Sequence, residues 1–209
     1  PGAPPAKGDV PPGTVVSGDV LRANRIPPGQ SRTRKWPVLD AGQPPPIDAG
    51  RWELALTGLV LHPATLTFAE FARAPRTRVL ADFHCVTRWS RLGNFWEGIA
   101  TREIIRHVAV SPRAQFVLVH AELGWTTNMP LQDFLAEDAL FADRHDGEPL
   151  SHEHGGPVRL VVPHLYAWKS AKWVRAVEFL EHDRPGYWEQ GGYHLRGDPW
   201  REQRHREDV

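Results

Sequence analysis

Proline and glycine are concentrated at the start of this 209-residue chain, and this distribution limits where regular structure can form. Residues 1–50 contain eleven of the 20 prolines and seven of the 18 glycines. Proline lacks an amide hydrogen and is excluded from helix interiors, so this segment cannot sustain a helix and offers few donors to a sheet. We therefore predict an extended arm over residues 1–50 that packs on the rest of the chain, most firmly at residues 36–40.

From residue 51 onwards the sequence has the patterns of short strands and short helices. Apolar and polar residues alternate over 52–57, which predicts a strand. Thr67 and Glu70 have the spacing of a capping box, which predicts a short helix to about residue 73. Other patterns predict strands at 77–83, 116–120, 159–162 and 173–180, a short helix at 101–107 and a turn at 146–147. Because long helices do not alternate with strands, we predict a single β-rich α+β domain over residues 51–209, not a doubly wound nucleotide-binding fold.

The charge balance and the apolar content exclude several classes of function. Lys plus Arg and Asp plus Glu each number 25, so no overall field favours nucleic acid or an anionic membrane. No apolar run approaches the roughly 18 residues of a membrane span. No secretory or twin-arginine pattern opens the chain, so we expect a cytoplasmic protein, or a periplasmic one if an upstream signal has been removed.

The single cysteine, Cys85, lies two residues after the end of the strand predicted at 77–83. One cysteine excludes an internal disulfide, and leaves either a small buried apolar residue or a functional thiolate. His84 and Arg88 are close in sequence, and cationic neighbours lower the pKa of a thiol. A thiolate here could attack a substrate or bind a soft metal, and the residues alone leave both open.

Residues 154–173 form a second segment whose side chains and backbone could bind a ligand. Its paired glycines permit close approach of a ligand to the backbone. Arg159, Lys169 and Lys172 could bind an anion such as a phosphate. A solvated basic loop above packed aromatic residues would have the same spacing, so the alternative stays open.

Residues 187–200 combine four large aromatic side chains with turn residues. We predict that they anchor the carboxy-terminal tail on the domain, with Glu189 or His194 at a pocket mouth as the alternative. Neither a Gly-x-Gly-x-x-Gly fingerprint nor a Walker loop is present, so nucleotide binding by those routes is excluded.

Three motifs together resemble the molybdopterin-binding domain of the sulfite-oxidase family, especially its small bacterial single-domain members. They read DFHCVTRWS at 82–90, HGGPVR at 154–159 followed by LVVP, and WKSAKW at 168–173. The resemblance extends over roughly residues 25–205. It implies a β-rich mixed domain with short helices and a molybdenum-molybdopterin cofactor.

The resemblance also implies roles for individual residues. Cys85 would be the protein ligand to molybdenum, and Arg88 and His84 would line the approach of the substrate. The pterin and its phosphate would be held by His154 and Arg159 of the first motif segment and by Ser170, Ala171 and Lys172 of the second. The arm would contribute Trp36 and Asp40.

The implied activity is two-electron oxygen-atom transfer on a small oxyanion or a sulfoxide-type substrate. We expect a small-molecule substrate, a separate electron-transfer partner, no nucleic acid and no membrane span. The residues after Cys85 differ from those of true sulfite oxidases. Neither the substrate nor the direction of oxygen-atom transfer therefore follows from the resemblance. Two alternatives are a metal-free thiol enzyme with Cys85 as nucleophile and His84 or a distant histidine as base, and a non-catalytic binding module.

Overall fold

A computed structural model describes residues 10–39 and 42–208 of the chain. The strands are β1 (Val15–Val16), β2 (Ser31–Thr33), β3 (Glu53–Gly58), β4 (Ala64–Thr67), β5 (Thr77–His84), β6 (Trp89–Ala100), β7 (Phe116–Ala121), β8 (Thr126–Pro130), β9 (Leu140–His145), β10 (Glu148–Pro149), β11 (Arg159–Val161) and β12 (Val174–Leu180). The α-helices are α1 (Phe68–Arg73), α2 (Thr101–Ile104), α3 (Leu131–Phe134) and α4 (Tyr187–Gln190). Short 3-10 turns lie between them at Gly18–Leu21, Ala49–Arg51, Ile105–His107, Glu122–Gly124, His152–His154, Ala167–Lys169 and Pro199–Arg201.

The strands form two mixed sheets. The first has the order β1-β5-β6-β9-β10, with β2 also paired to β6 and β11 to β9. The second has the order β4-β3-β12-β7-β8. The pairs β1 with β5, β2 with β6 and β3 with β12 are parallel, and the other pairings are antiparallel. This architecture confirms the predicted β-rich α+β class with short helices.

The main core lies between the two sheets. Leu54 and Leu56 of β3 and Val177 of β12 pack there against Ile99 and Phe141 from the first sheet. Burying such apolar surface is the dominant favourable contribution to folding. The pattern at 52–57 is therefore that of a strand with one face turned to this core.

The strand β5 is buried on both faces, and its alternation places the cysteine. Val79 and Phe83 pack on one face against Trp96 and the arm residue Trp36. Leu80 packs on the other face. Side chains alternate along a strand, so the residue after His84 returns to the Phe83 side.

The arm takes part in the first sheet. The strands β1 and β2 both lie within residues 1–50. Arg25 donates two hydrogen bonds to the fully buried carboxylate of Asp82, at 2.8 and 2.5 Å. The arm strands have only two and three residues, as expected where prolines interrupt the supply of amide donors.

Helix α1 has the capping box that its sequence predicts. The Thr67 hydroxyl accepts from the amide of Glu70, and the Glu70 carboxylate accepts from the amide of Thr67 at 2.8 Å. Among the described residues, no helix has the length and apolar character needed to cross a membrane.

Candidate active site

Five segments that are distant in sequence meet around one cleft of about 230 Å³. They are the arm at 36–39, the β5–β6 turn, the β7–β8 connection, the segment 159–173 and the tail at 188–193. Cys85 and most of the predicted cofactor residues line this cleft. The sequence motifs at 82–90, 154–159 and 168–173 therefore contribute to a single site.

Cys85 lies in a tight turn between β5 and β6. The amide of Arg88 donates to the carbonyl of Cys85 at 3.0 Å, and the amide of Cys85 donates to the carbonyl of Trp89 at 2.9 Å. The side chain of Gln30, from the arm, donates to the same Cys85 carbonyl at 3.0 Å. These bonds fix the backbone on both sides of the sulfur.

Cys85 is 7% exposed, and its thiol receives a hydrogen bond of 3.2 Å from the hydroxyl of Thr87. Burial raises the pKa of this thiol, and the hydrogen bonds of Thr87 and the positive charge of Lys172 act in the opposite direction. The cation that acts on the sulfur thus comes from the distant segment 159–173.

His84 and Arg88 are not among the described residues that line the cleft. His84 is fully buried on the opposite face of β5, where its ring lies 2.8 Å from the Ser90 hydroxyl and 3.3 Å from the Asp19 carboxylate. Arg88 is exposed, has a φ of 71° and reaches towards Gly29. His84 and Arg88, expected to line the approach of the substrate, are therefore absent from the cleft lining: His84 points to the face of β5 opposite its neighbour Cys85, and Arg88 lies in the exposed turn.

Arg159 is 2% exposed and connects the two halves of the basic segment. Its guanidinium donates to the carbonyl of His154 at 2.8 Å and to the carbonyl of Ser170 at 2.7 Å. It also lies 5.5 Å from the ring centroid of Trp36 and lines the cleft. Arg159 therefore holds the shape of the cleft in addition to contributing positive charge.

His154 lies beneath the arm residue Trp36. The two rings are stacked with centroids 3.8 Å apart, and Nε2 of His154 is 3.2 Å from the Trp36 carbonyl. Burial lowers the pKa of His154, which favours the neutral ring. Trp36 lines the cleft and His154 supports it. Asp40, the other arm residue predicted to contact the cofactor, lies outside the described residues.

Ser170, Ala171 and Lys172 also line the cleft. The Ser170 hydroxyl accepts from the amide of Val162 at 3.0 Å. The Lys172 ammonium donates to the carbonyls of Glu153, at 2.7 Å, and Leu39, at 3.2 Å. This run is held rigidly between the arm and the 3-10 turn at His152–His154.

The paired glycines serve packing between segments. Gly155 has a φ of +105°, and a Cβ there would lie 3.0 Å from the backbone of Lys172. A Cβ on Gly156 would lie 2.4 Å from the carbonyl oxygen of Leu150. We expected these glycines to let a ligand approach the backbone. In the structure they let other segments of the chain approach it.

An aromatic wall closes one side of the cleft, and sequence reasoning did not identify it as functional. It consists of Trp125, Trp188 and Tyr193. Behind it, the fully buried Lys169 and Glu189 form an ion pair at 2.6 Å. Glu189 also accepts from the Trp168 indole at 2.8 Å, so it anchors α4 to the basic segment. The density of aromatic residues among turns at 187–200 was a sequence signal for Trp188 and Tyr193, whereas Trp125 lies outside that stretch.

The donor set of the cleft fits a molybdenum-pterin group. Cys85 could supply one soft sulfur ligand. The described residues contain no group of three or more His, Cys, Asp or Glu side chains that could hold a metal by themselves. Two buried polar atoms of cleft residues, the Trp89 indole nitrogen and the Thr127 hydroxyl, have no hydrogen-bond partner among the described residues. Such a site suits a metal whose other ligands arrive on an organic group with polar edges.

The fold is β-rich and mixed, and its cleft holds the one cysteine beside a basic segment. This arrangement fits a pterin-dependent oxidoreductase. Residues 41–188 match the family described as "Oxidoreductase molybdopterin binding domain", and the chain belongs to this family. The resemblance drawn from the three motifs is confirmed, as is the assignment to an oxidoreductase with a molybdopterin cofactor.

Relatives of known name include several bacterial oxidoreductases. The chain is 50% identical over 184 residues to "Uncharacterized oxidoreductase YuiH" of Bacillus subtilis (strain 168), covering 88% of this chain and 93% of that protein. It is 27% identical over 152 residues to "Putative protein-methionine-sulfoxide reductase subunit YedZ1" of Azospira oryzae, covering 72% of this chain and 57% of that protein. It is 28% identical over 155 residues to "Protein-methionine-sulfoxide reductase catalytic subunit MsrP" of Gluconobacter oxydans, covering 66% of this chain and 49% of that protein. The chain thus spans about half the length of these two reductases.

Among solved structures, the sulfane dehydrogenase SoxCD of Paracoccus pantotrophus has a similar fold. The TM-score is 0.62 at 22% sequence identity, over 66% of this chain and 40% of that chain. At this identity the likeness concerns the fold, which is the β-rich molybdopterin-binding fold predicted.

Proposed function

We propose that this protein is a molybdenum enzyme that carries out two-electron oxygen-atom transfer on a sulfur-centred oxide or a small oxyanion. The observation that carries the proposal is the position of the Cys85 thiol, in the same cleft as the basic segment and the arm. Two relatives are named as methionine-sulfoxide reductases and the structural neighbour as a sulfane dehydrogenase, which supports sulfur chemistry.

The residues of the cleft divide the work of holding the cofactor. Cys85 would ligate molybdenum through its thiolate, and Lys172 would face the pterin phosphate as a point charge. Arg159 would keep the segments on either side of the pterin at a fixed spacing through its bonds to two carbonyls. Trp36, supported by His154, would cover the pterin from the arm side.

When bound, the molybdenum-pterin group supplies the two-electron redox chemistry of oxygen-atom transfer. For a sulfoxide, the S=O bond breaks, two electrons and two protons are taken up, and a sulfide and water leave. The chain's aromatic residues exclude bulk water, and the Thr127 hydroxyl and Trp89 indole are donors available to an oxygen atom in the cleft. The electrons would come from a separate one-electron carrier protein, since both reductase relatives are named as subunits.

The geometry disfavours a thiol enzyme that works without a metal. A nucleophilic cysteine needs a base within hydrogen-bond reach. The described residues place the Thr87 hydroxyl on the sulfur of Cys85, while the neighbouring His84 faces away from the cleft.

Metal and pterin analysis of protein from molybdenum-replete cells tests the proposal. We expect about one molybdenum and one pterin per chain, and a Cys85→Ser variant that loses nearly all redox activity while keeping part of its pterin. Thr57→Ser, a comparably small change on a half-buried residue of β3 outside the cleft, is the control and should keep both metal and activity. Wild-type protein without molybdenum, or unchanged turnover by Cys85→Ser, would refute the assignment.

A further inference from the structure

The turn that carries Cys85 also places a hydroxyl on its sulfur. Residues 85–88 join β5 to β6, and the turn is closed by the bond from the amide of Arg88 to the carbonyl of Cys85 at 3.0 Å. Thr87, the third residue of this turn, reaches back and donates its hydroxyl to the sulfur of Cys85 at 3.2 Å. A side chain of the turn itself is therefore bonded directly to the atom that would ligate molybdenum.

Among the described residues, the hydroxyl of Thr87 has the largest part in stabilising negative charge on this sulfur. The two neighbours expected to do so, His84 and Arg88, do not line the cleft. Burial raises the pKa of the Cys85 thiol, and the Thr87 hydroxyl lowers it most, ahead of two amides of the turn and the charge of Lys172. Negative charge on the sulfur thus depends on a neutral donor from the turn more than on a cation.

A hydrogen bond to a metal-bound thiolate withdraws electron density from the sulfur. The metal then receives less charge from its ligand, so its reduced state is favoured and its reduction potential rises. Hydrogen bonds to cysteine sulfur tune the potentials of blue-copper and iron–sulfur sites in this way. A thiolate bound to one metal keeps further lone pairs, so ligation by Cys85 is compatible with the bond from Thr87.

The turn holds the hydroxyl of Thr87 in position. Arg88 has a φ of 71°, and the side chain of Gln30 bonds the carbonyl of Cys85 at 3.0 Å, so the backbone on either side is fixed. The branched Cβ of threonine restricts the first side-chain torsion. Thr87 also lines the cleft, so a cofactor that fills the cleft would keep water from this bond, and hydrogen bonds are stronger where water is excluded.

We propose that Thr87 is a positioning residue that raises the reduction potential of molybdenum through its hydrogen bond to the sulfur of Cys85. The inference rests on the proposed function, in which Cys85 ligates the metal. Thr87 acts through the sulfur, so its effect on the potential does not depend on which substrate is turned over.

A redox titration of the holoenzyme at fixed pH, followed by the EPR signal of Mo(V), tests this inference. Thr87→Val keeps the shape of the side chain and removes the donor. We expect the ratio of oxidised to reduced molybdenum at a given potential to rise about tenfold, which is a midpoint lower by about 59 mV for one electron. Thr87→Ser restores the hydroxyl and should return most of the shift.

The matched control is Thr65→Val, which makes the same change at an exposed position of β4 outside the cleft. It should keep the wild-type potential. Molybdenum and pterin are measured in every variant, and Thr87→Ala, with the same expected shift, replaces a valine variant that fails to load. A purely structural role of Thr87 would lower loading or stability and leave the potential of the loaded molecules unchanged.

The outcomes separate the two proposals. A wild-type potential in loaded Thr87→Val or Thr87→Ala, or a potential in Thr87→Ser as low as in Thr87→Val, would overturn the inference and leave Cys85 as the ligand. Loss of the cofactor from all three variants would assign Thr87 to assembly of the site and would also overturn it. Wild-type protein without molybdenum, or an EPR signal unchanged by Cys85→Ser, would overturn the proposed function itself.

Discussion

Arg159 shows how one side chain can serve both structure and site. Its guanidinium is almost fully buried and bonded to carbonyls from the two segments that border the cleft. It also lies near the faces of Trp36, Phe83 and Trp96, which favours a cation at this position. The residue that the motif suggested as a phosphate ligand is thus also a link between loops.

Replacing Arg159 by Met should therefore change stability and cofactor content together. The carbonyls of His154 and Ser170 would lose buried donors, which should lower the free energy of unfolding by about 2 to 4 kcal/mol. Pterin occupancy should fall as the segments separate. Chemical denaturation and pterin fluorescence would measure both, with the exposed Arg113→Met as the control that changes neither. Wild-type stability with full pterin would show that Arg159 has no linking role.

At the scale of elements, the loop after β11 is joined to α3 and to the segment after it by one charged cluster. His164 lies 3.1 Å from the carboxylate of Asp133 and 3.8 Å from that of Asp138. Arg196, from the tail, also bonds Asp133 at 2.9 Å. Burial acts to lower the pKa of His164, but the hydrogen bonds and charges of the two aspartates raise it to about 9.

This cluster predicts a stability that depends on pH in the alkaline range. The folded-state pKa of His164 exceeds its value of 6.5 in the unfolded chain, so its contribution is complete below pH 6.5 and is lost as the pH rises through 9. We expect the free energy of unfolding to fall by about 3 kcal/mol over that interval. Denaturant titrations of His164→Gln should show a flatter profile, and those of the exposed His62→Gln the wild-type one. An equally steep profile in His164→Gln would contradict this.

At the scale of the whole molecule, the arm is part of the first sheet and also a wall of the cleft. It pairs with β5 and β6, contributes Trp36 to the cleft, and bonds the carbonyl of Cys85 through Gln30. Its attachment to the buried Asp82 depends on Arg25. The order of the arm and the shape of the cleft are therefore coupled.

Replacing Arg25 by Met should loosen the arm. Asp82 would be left as a buried carboxylate without its guanidinium partner, at a cost of about 3 kcal/mol. Trypsin should then cleave faster at the arm residues 32–35, and the melting temperature should fall. Arg73→Met, on the exposed face of α1, is the control expected to behave as wild type. Unchanged proteolysis of the arm would show that the strands β1 and β2 suffice to hold it.

Local patterns were enough for the elements whose stability is local. The capping box predicted α1, and alternation predicted β3, because both signals act within a few residues. The longest strand, β6, was not predicted. It contains Gly93, Asn94 and Gly98, which disfavour a strand, and it is held by pairing with β2, β5 and β9. Gly98 is required there because a Cβ would lie 1.9 Å from the carbonyl oxygen of Phe141.

The sequence by itself identified the family and its molybdopterin and singled out Cys85 as the candidate ligand, because the residues of each motif are contiguous and their chemistry can be read in place. Only the tertiary structure brought the charge of Lys172 close to the thiol and left His84 and Arg88 out of the cleft lining. It alone assembled the wall of Trp125, Trp188 and Tyr193. The physical reason is that side-chain direction alternates along a strand, whereas proximity between the cysteine turn, the basic segment and the tail arises from the packing of distant segments.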